Sequence, residues 1–335
     1  MKNDVKMQDI ADALGISKVT VSNALAGRSG VSQELRHKIE KTAIAMGYTY
    51  KRTENKVCYS IGVFVSSRYV AKGESFYWEM YWELASFLKS RGSATVFEMI
   101  KPEDEEHLIL PVSLTSEKCD AVILIGKLDR QYLMLIKEKF KIPIVLLDYY
   151  VDDFQMDSVI SDGYFGMYKM TEYLIQKGHS KIAFVGSIYG SPSIMDRFYG
   201  YCRALSGHKI SYRQEWILND RDIDTGDIII EDFPDEMPTA FVCNCDLSAN
   251  EVIKKLIEKG YKIPDDISIV GFDNYAKNNY YNIGVTSYDV NIRLMAEKAG
   301  NRIFEKIEKT TDEKSLVQVV PGKIIEKESV RDLGI

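Results

Sequence analysis

Long apolar runs are missing from the 335-residue sequence, and no stretch is long enough to span a bilayer. The N-terminus also lacks the apolar segment of a secretory signal peptide. Cysteine is sparse, and the five cysteines form an odd, scattered set that is typical of reduced thiols rather than of a disulfide framework. We therefore expect a globular protein of the cytoplasm.

Signatures of catalysis and of metal binding are equally scarce. The sequence has no G-x-G-x-x-G after a strand, no G-x-x-x-x-G-K-[ST], no G-x-S-x-G and no H-E-x-x-H. The four histidines have no partners at metal-ligand spacing, and Cys243 and Cys245 lack a second pair of ligands. We expect no cofactor, no metal site and no enzymatic activity. A sugar- or nucleoside-processing enzyme with an accessory DNA-binding head is the alternative.

Charge is distributed unevenly along the chain. Residues 1–60 contain ten Lys or Arg and six Asp or Glu, which gives this segment a net charge of +4. The whole chain carries −6, so residues 61–335 carry −10. A basic head on an acidic body fits a head that contacts phosphates, although this excess is modest for sixty residues.

Three short helices are predicted at the start of the chain. The first, MQDIADAL, repeats its apolar residues on one face and ends at Gly15, which tolerates the positive φ of a helix end. Ser17 is a good N-cap for the second helix, and the third begins at Ser32. Two helices joined by a tight turn and braced by a third form the helix-turn-helix arrangement. An ordinary three-helix cap is the alternative.

The second of these helices contains the β-branched run Val19-Thr20-Val21, which by propensity favours a strand. Val21, Ala24 and Leu25 nevertheless share one helical face, which can pack on the first helix. Because tertiary packing overrides a weak propensity, we predict a helix here. Its outward face then consists of Lys18, Val19, Ser22 and Asn23.

After residue 60 the pattern changes to short apolar runs separated by amphipathic, helix-like segments. This alternation predicts parallel sheets covered on both faces, and its length indicates two doubly wound lobes rather than one sheet. The fold class is therefore an α-helical head followed by an α/β body. The predicted strands are IGVFV (61–65), ATVFEM (94–99), AVILIG (121–126), PIVLLD (143–148), SVIS (158–161), KIAFVGS (181–187), TAFVCNC (239–245) and ISIVGFD (267–273).

Polar side chains follow several of these strands. In doubly wound sheets, ligands bind outside the carboxyl ends of the strands, so these side chains are expected to converge on one cleft. Carboxylates accept hydrogen bonds from hydroxyls, an arginine donates to oxygens, and an aromatic ring covers a C–H face, which together suit a neutral polyol. The alternative is that some of the acids cap helices. The candidates are Phe76, Asp148, Ser193, Arg197, Asn244, Asp246 and Asp273.

Six motifs follow one another along the chain. They are MQDIADALGISKVTVSNALAG, VSQELRHKIEKTAIAMGY, IGVFV, VISDGYFGMYKMTEYLIQKGHSKIAFVG, DRFYGY and IPDDISIVGFDN. In this order, over nearly the whole chain, they resemble the motifs of the LacI/GalR transcriptional regulators. The resemblance implies a homodimeric repressor whose head reads operator DNA. It also implies a body similar to the type I periplasmic sugar-binding proteins.

This resemblance sets the expected domain boundaries. The domains would be a helix-turn-helix domain in residues 1–48, a linker in 49–60 and an effector-binding and dimerisation body in 61–335. The N-lobe would comprise about 61–160 and 290–318, and the C-lobe about 161–289 and 319–335.

By the same resemblance, the second helix of the head lies in the major groove. The residues at its base-reading positions are Lys18, Val19 and Asn23. The residues where small hydroxyl side chains contact phosphates are Ser17, Thr20 and Ser22. Many family members have Arg in place of Asn23. Because Asn prefers adenine and Arg prefers guanine, the operator is expected to differ at that base pair.

In the body, the resemblance assigns contact with a ligand, a small sugar, to Phe76, Asp148, Ser193, Arg197, Asp246 and Asp273. One departure precedes Asp246, where family members usually have Asn and this chain has Cys245, with Asn244 one residue earlier. One step along a strand reverses the side-chain face, which places the contact of Asn244 in doubt and makes Cys245 a weak donor. A purine or a partner phosphoprotein is the alternative ligand.

The linker TYKRTENKVCYS departs further from the family. It lacks the Pro-Asn start and the leucine of the usual hinge helix, and Val57 is its only aliphatic residue able to replace that leucine. We therefore expect little kinking of DNA. Lys51, Arg52 and Lys56 could still bind phosphates, and a flexible tether is the alternative.

The expected mechanism is a two-state dimer. Ligand closes the two lobes of each body, and this movement changes the spacing of the two heads. Tyr81 and Trp82 have the spacing of residues at a dimer interface or in the core, and no leucine-zipper repeat supports assembly beyond a dimer. The sequence leaves open whether the ligand induces or co-represses.

Overall fold

The computed structural model describes residues 5–25, 31–48, 58–70, 75–151, 156–223, 225–275, 281–310 and 314–334. The chain forms two compact units, Met1–Cys58 and Tyr59–Ile335. Most of the predicted linker lies outside the described residues, including Lys51, Arg52, Lys56 and Val57.

The first unit contains three helices, α1 (Met7–Leu14), α2 (Lys18–Leu25) and α3 (Gln33–Ala45). Gly15 follows α1 with φ +66°, as expected of a residue that ends a helix. The backbone N–H of Thr20 donates to Ser17 Oγ at 3.0 Å, which caps α2. The helical prediction for the β-branched run is confirmed, because Val21 is fully buried against the other helices. Tertiary packing therefore outweighs the strand propensity of this β-branched run.

The second unit alternates strands and helices. In chain order its described elements are β1 (Ser60–Ser66), α4 (Ser67–Val70), α5 (Phe76–Ser90), β2 (Ala94–Ile100), α6 (Pro102–Glu106), α7 (Val112–Thr115), β3 (Ala121–Ile125), α8 (Arg130–Lys139), β4 (Ile144–Leu147), β5 (Asp157–Ser161), α9 (Gly163–Gln176), β6 (Ile182–Val185), α10 (Pro192–Gly207), a 3-10 turn (Gln214–Trp216), β7 (Ile217–Leu218), β8 (Ala240–Cys243), α11 (Asp246–Glu258), β9 (Ser268–Asp273), β10 (Thr286–Asp289), α12 (Ile292–Ile307), β11 (Val317–Val320) and β12 (Lys323–Ile325).

These strands form two six-stranded sheets. The first has the order β11-β5-β4-β3-β1-β2 and is parallel throughout. The second has the order β12-β10-β9-β8-β6-β7 and is parallel except for the antiparallel pair β10–β12. All five residues of β3 and all four of β8 are buried, as expected when helices cover both faces. The predicted pair of doubly wound parallel-sheet lobes is confirmed.

The chain passes between the two sheets three times. It leaves the first sheet after β5, returns after β10, and crosses again between β11 and β12. Residues that follow parallel strands of both sheets border a common cleft. The longest described helices, α10 and α12, have 16 residues, and none of the described helices qualifies as a membrane span.

Candidate functional site

A cavity of about 250 Å³ lies in the cleft between the two sheets. Its lining residues follow β1, β3 and β4 in the first sheet and β6, β8 and β9 in the second, where ligands of doubly wound sheets bind. The volume is below the range of about 300–1,000 Å³ that holds drug-sized ligands, so it suits a smaller molecule. Among the sequence-predicted candidates, the lining includes Phe76, Asp148, Ser193, Arg197, Asn244 and Asp273.

Arg197 occupies the centre of the polar network. It projects from α10, is 6% exposed, and donates from Nη1 to the backbone oxygen of Asn244 at 2.9 Å. Its guanidinium carbon lies 4.1 Å from the ring centroid of Phe272, a cation–π distance. Within the described residues Nε has no hydrogen-bond partner. The side chain is therefore held in place while part of its donor capacity is unused.

Asp148 directly follows β4 and lines the cavity from that strand. Its backbone is left-handed, with φ +65°. The hydroxyl of Tyr77 donates to Asp148 Oδ2 at 3.0 Å. Burial raises the pKa of Asp148 above its ordinary value, although Arg197 and the hydrogen bonds from Tyr77 and Ser161 oppose the shift. Phe76, which also lines the cavity, packs edge-on against the Tyr77 ring at 5.4 Å between centroids. An acceptor and an aromatic ring, connected through Tyr77, therefore line the same cavity.

Asp273 ends β9 on the opposite side, also with a positive φ of +91°. Its Oδ1 accepts the backbone N–H of Tyr275 at 2.9 Å. Burial raises the pKa of Asp273 to about 7, and the positive charge of Arg197 acts against that rise.

Asp246 differs in position from the other candidates. It is fully buried at the start of α11 and lies behind the cavity wall, where Ser287 Oγ donates to its Oδ1 at 2.7 Å. A methyl group added at Gly271 would lie 1.9 Å from the same oxygen, so the carboxylate packs directly on β9. Burial and the neighbouring Asp273 raise the pKa of Asp246 well above its usual range. Asp246 is therefore not among the residues that line the cavity, and its contact with a ligand stays a prediction.

Asn244 and Cys245 both line the cavity, although the sequence suggested that only one of two consecutive side chains could. The strict alternation of strand side chains does not apply, because β8 ends at Cys243 and the chain then turns into α11. The amide of Asn244 is already engaged, since its Nδ2 donates to Asp220 and its Oδ1 lies 3.4 Å from Arg197 Nη1.

Asp220 is a buried residue of this network that the sequence did not indicate. It accepts the backbone N–H of Ser187 at 2.9 Å and the hydroxyl of Ser248, and Arg221 Nη2 lies 2.7 Å from its Oδ2. Burial acts to raise the pKa of Asp220, but Arg221 and the hydrogen bonds outweigh burial and the pKa is lowered. Asp220 follows β7, which has only two residues and therefore gives no hydrophobic run to read.

Three further basic side chains line the same cavity, namely Arg68, Lys127 and Arg221. None was among the sequence-predicted candidates. Arg68 and Lys127 each lie two residues beyond an observed strand, β1 and β3, and within three residues of the end of a predicted one. The rule that identified Asp148 would therefore have found them if it had been applied to the residues after every predicted strand.

The head presents the predicted outward face of α2. Lys18 and Val19 are exposed, with 67% of Val19 accessible, whereas Ser22 and Asn23 are half-buried at the same surface. The hydroxyls of Ser17 and Thr20 lie 2.8 Å apart at the start of the helix. Arg36 of α3 donates to the backbone oxygen of Ala24 at 3.0 Å and braces the end of α2.

Comparison with known proteins covers both units. Residues 6–50 match the profile of the bacterial regulatory proteins of the lacI family, and residues 171–330 match the periplasmic binding protein-like domain. Over 334 residues the chain is 25% identical to the HTH-type transcriptional repressor PurR of Vibrio atlanticus, covering 98% of this chain and 99% of that protein.

Two solved structures resemble the chain over nearly its whole length. The complex of the transcriptional regulator CelR with cellobiose has a TM-score of 0.70 at 20% identity and covers 97% of this chain and 99% of that one. The lac repressor dimer bound to operator and the anti-inducer ONPF has a TM-score of 0.66 at 21% identity and covers 98% of this chain and all of that one. At these identities the likeness concerns the fold.

Proposed function

The chain belongs to the LacI/GalR family of DNA-binding transcriptional regulators, and we propose that it represses carbohydrate-utilisation genes in response to a small sugar. The observation that carries this proposal is the cavity at the strand ends, where carboxylates, Arg197 and the Phe76 ring converge. Carboxylates and an arginine bind hydroxyls, and an aromatic ring covers the apolar face of a sugar. The similarity to CelR, whose structure contains cellobiose, supports the same assignment.

The head is the proposed reader of operator DNA. The exposed positions of Lys18 and Val19, with Asn23 at the same surface, support base contact by these three residues in the major groove. The hydroxyls at and near the start of α2 are suited to phosphates, because a helix N-terminus also directs free backbone N–H groups outward. Those hydroxyls belong to Ser17, Thr20 and Ser22.

Asn23→Arg is expected to change the preferred operator at one base pair from A·T toward G·C. Asn forms a bidentate pair with adenine and Arg with guanine, each giving about 1–3 kcal/mol of discrimination. Selection of bound duplexes from random DNA, followed by sequencing, measures the preference. Lys41→Arg, an exposed change on α3, is the control and leaves the selected sequence unaltered. The same selected sequence for Asn23→Arg and the unmodified chain would rule out this contact.

Ligand and DNA are proposed to communicate through the lobes. The chain crosses between the sheets three times, which allows a closure of the cleft to move one lobe against the other. In a dimer such a movement changes the spacing of the two heads. The coupling cannot exceed the difference in ligand affinity between the two lobe arrangements.

A thermal-shift screen followed by DNA titration tests the proposal. The full chain is screened against mono- and disaccharides, sugar phosphates and purines, since a ligand at a hundred times its Kd adds about 2.7 kcal/mol to folding stability. A hit is then added to fluorescence-anisotropy titrations of the selected duplex, where we expect roughly a tenfold change in affinity or more. Stabilisation by purines alone contradicts the sugar assignment. A hit that leaves DNA affinity unchanged contradicts the regulatory one.

Trp82 is the proposed centre of a homodimer contact. Its neighbour Tyr81 packs inward against Trp78 and Phe97, whereas Trp82 on the same helix, α5, is 65% exposed. A large exposed aromatic side chain is typical of a binding surface. Tyr81 and Trp82, which were grouped together from the sequence, therefore differ: Tyr81 packs inward and Trp82 faces solvent.

Trp82→Glu is expected to weaken the dimer by at least about thirtyfold, because an interface tryptophan contributes about 2 kcal/mol or more. Sedimentation equilibrium of the full chain measures the dissociation constant. Tyr199→Glu, at a site 53% exposed on α10, is the matched control and is expected to remain dimeric. An unchanged dissociation constant for Trp82→Glu would place the interface elsewhere.

A further inference from the structure

The cavity has a basic end that the proposed neutral sugar does not use. Arg68 follows β1, Lys127 follows β3 and Arg221 follows β7, and all three side chains line the cavity. Arg197 is separate from them in function, since it donates to Asn244 and its charge acts on Asp148 and Asp273. Three cations thus remain without an assigned role.

Two of these cations are fixed from behind by buried carboxylates. Arg68 Nη2 lies 3.0 Å from Glu105 Oε1, and the side chains are 22% and 2% exposed. Arg221 Nη2 lies 2.7 Å from Asp220 Oδ2, with exposures of 20% and 0%. In both pairs the carboxylate is inside and the guanidinium is accessible. A guanidinium anchored in this way keeps further N–H groups for a second anion.

Lys127 has no such anchor. Its Nζ donates to the backbone oxygen of Gly190 at 3.1 Å, and no carboxylate of the described residues forms an ion pair with it. An ammonium group has three donors, so two remain for a ligand. A half-buried charge without a counter-ion is costly, and an anionic ligand would remove that cost.

The three cations are brought together by one loop and one hairpin. Gly190, which accepts from Lys127, is hydrogen-bonded through its N–H to Ser187 at 2.8 Å, and the Ser187 hydroxyl donates to the backbone oxygen of Arg221 at 3.1 Å. The hairpin that pairs Arg221 with Ile228 approaches Arg68, since a methyl group added at Gly226 would lie 3.3 Å from the Arg68 backbone oxygen. One carboxylate, Asp227, also lines the cavity on this hairpin, whereas Glu105 and Asp220 lie behind the two arginines. The groups that line this end of the cavity are therefore three cations and one carboxylate.

We propose that the physiological ligand is a sugar that carries an anionic group, a carboxylate or a phosphate, which Lys127, Arg221 and Arg68 bind. The hydroxyls of the sugar then face Asp148 and Asp273 at the other end of the cavity. The proposal rests on the function proposed above and narrows its ligand from a small sugar to an anionic one.

Thermal shifts of the full chain test the charge of the ligand. The probes are glucuronate, galacturonate, glucose 6-phosphate and fructose 6-phosphate, set against glucose, galactose and fructose at matched ionic strength. We expect at least one anionic probe to stabilise the chain more than its neutral counterpart. The uronates and the phosphates distinguish the two sources of charge.

Variants of Lys127 then test the site. For the best anionic probe, Lys127→Met is expected to raise the Kd roughly tenfold or more, because one charge-assisted contact is lost. Lys127→Arg restores most of the affinity, and Lys139→Met, an exposed change on α8, has no effect. If a neutral sugar stabilises the chain as much as its anionic counterpart, the proposal of an anionic ligand is wrong, whereas the proposed regulatory function is unaffected. No stabilisation by any anionic probe, or an unchanged Kd in Lys127→Met, overturns the proposal of an anionic ligand as well.

Discussion

Arg197→Met is expected to weaken binding of the ligand about 100-fold or more, because each charged hydrogen bond that is lost contributes about 1.5–3 kcal/mol. Methionine keeps most of the side-chain length, so the change removes charge and donors more than volume. Isothermal titration with the ligand found in the screen measures the loss. The operator affinity without ligand is expected to stay close to that of the unmodified chain.

The size of this effect follows from the position of Arg197 between two buried acids. Its charge lowers the pKa of both Asp148 and Asp273, whose burial acts in the opposite direction. Without the guanidinium, both carboxyls favour the protonated form more strongly at neutral pH. A protonated carboxyl is a poorer acceptor for ligand hydroxyls, so the variant loses contacts beyond those of Arg197 itself.

The same variant is expected to show a pH-dependent loss of stability. A carboxyl whose pKa is higher in the folded state than in the unfolded state stabilises the fold at low pH, and this contribution is lost as pH rises through the folded pKa. For the unmodified chain, the loss of folding stability that Asp273 causes as pH rises ends near its pKa of about 7. In the variant the folded-state pKa of each carboxyl is higher still. The loss of free energy of unfolding therefore continues to higher pH, at about 1.4 kcal/mol per pH unit for each carboxyl.

Urea unfolding at pH 6, 7 and 8 measures this difference. The gap in free energy of unfolding between the unmodified chain and Arg197→Met should widen above pH 7. Arg203→Met is the control, because Arg203 lies on the same helix, α10, donates to the exposed Tyr164 hydroxyl and does not line the cavity. A gap that stays constant with pH would show that Arg197 does not set the titration of the two carboxyls.

The sequence predicted the head and the strand framework well, because both depend on local pattern and apolar burial. Ser17 and Gly15 bound the turn between α1 and α2 as their cap preferences require. The eight predicted strands correspond to β1–β6, β8 and β9. The strands without a prediction, β7, β10, β11 and β12, have two to four residues, and most of their positions are polar or exposed. β7, β11 and β12 are edge strands, and β10 lies next to the edge strand β12. These positions depend on tertiary pairing, which no local pattern encodes.

The candidate site was predictable in part for the same reason. Asp148 and Asp273 end long apolar runs, and the chain beyond such runs enters the cleft. Asp246 also follows such a run, but the turn into α11 buries its carboxylate on β9 instead. Asp220 and Arg221 acquire their roles only through long-range contacts with Ser187, Asn244 and Ser248. A sequence read in one dimension cannot place such partners.

Gly200→Ala is expected to destabilise the body by about 3 kcal/mol or more, at the upper end of overpacking substitutions. A Cβ at Gly200 would lie 2.1 Å from the backbone oxygen of Tyr164 and 2.9 Å from the backbone nitrogen of Tyr168. Backbone atoms of α9 cannot rotate away as a side chain can, so the two helices must separate. For a domain of this size the midpoint of thermal unfolding should fall by roughly 6–12 °C.

Gly207→Ala supplies the matched control on the same helix. Among the described residues beyond the helix's own nearby backbone, no atom lies within 4 Å of the added Cβ there, so the change should be neutral or stabilising by up to about 1 kcal/mol. The two variants should also differ in ligand binding, because Arg197 lies about one helical turn before Gly200 on α10. Separation of α9 and α10 would displace the guanidinium relative to the other residues of the cavity, and Gly200→Ala should therefore also weaken ligand binding. Equal stability of the two alanine variants would mean that the helices do not pack as closely as their backbones indicate.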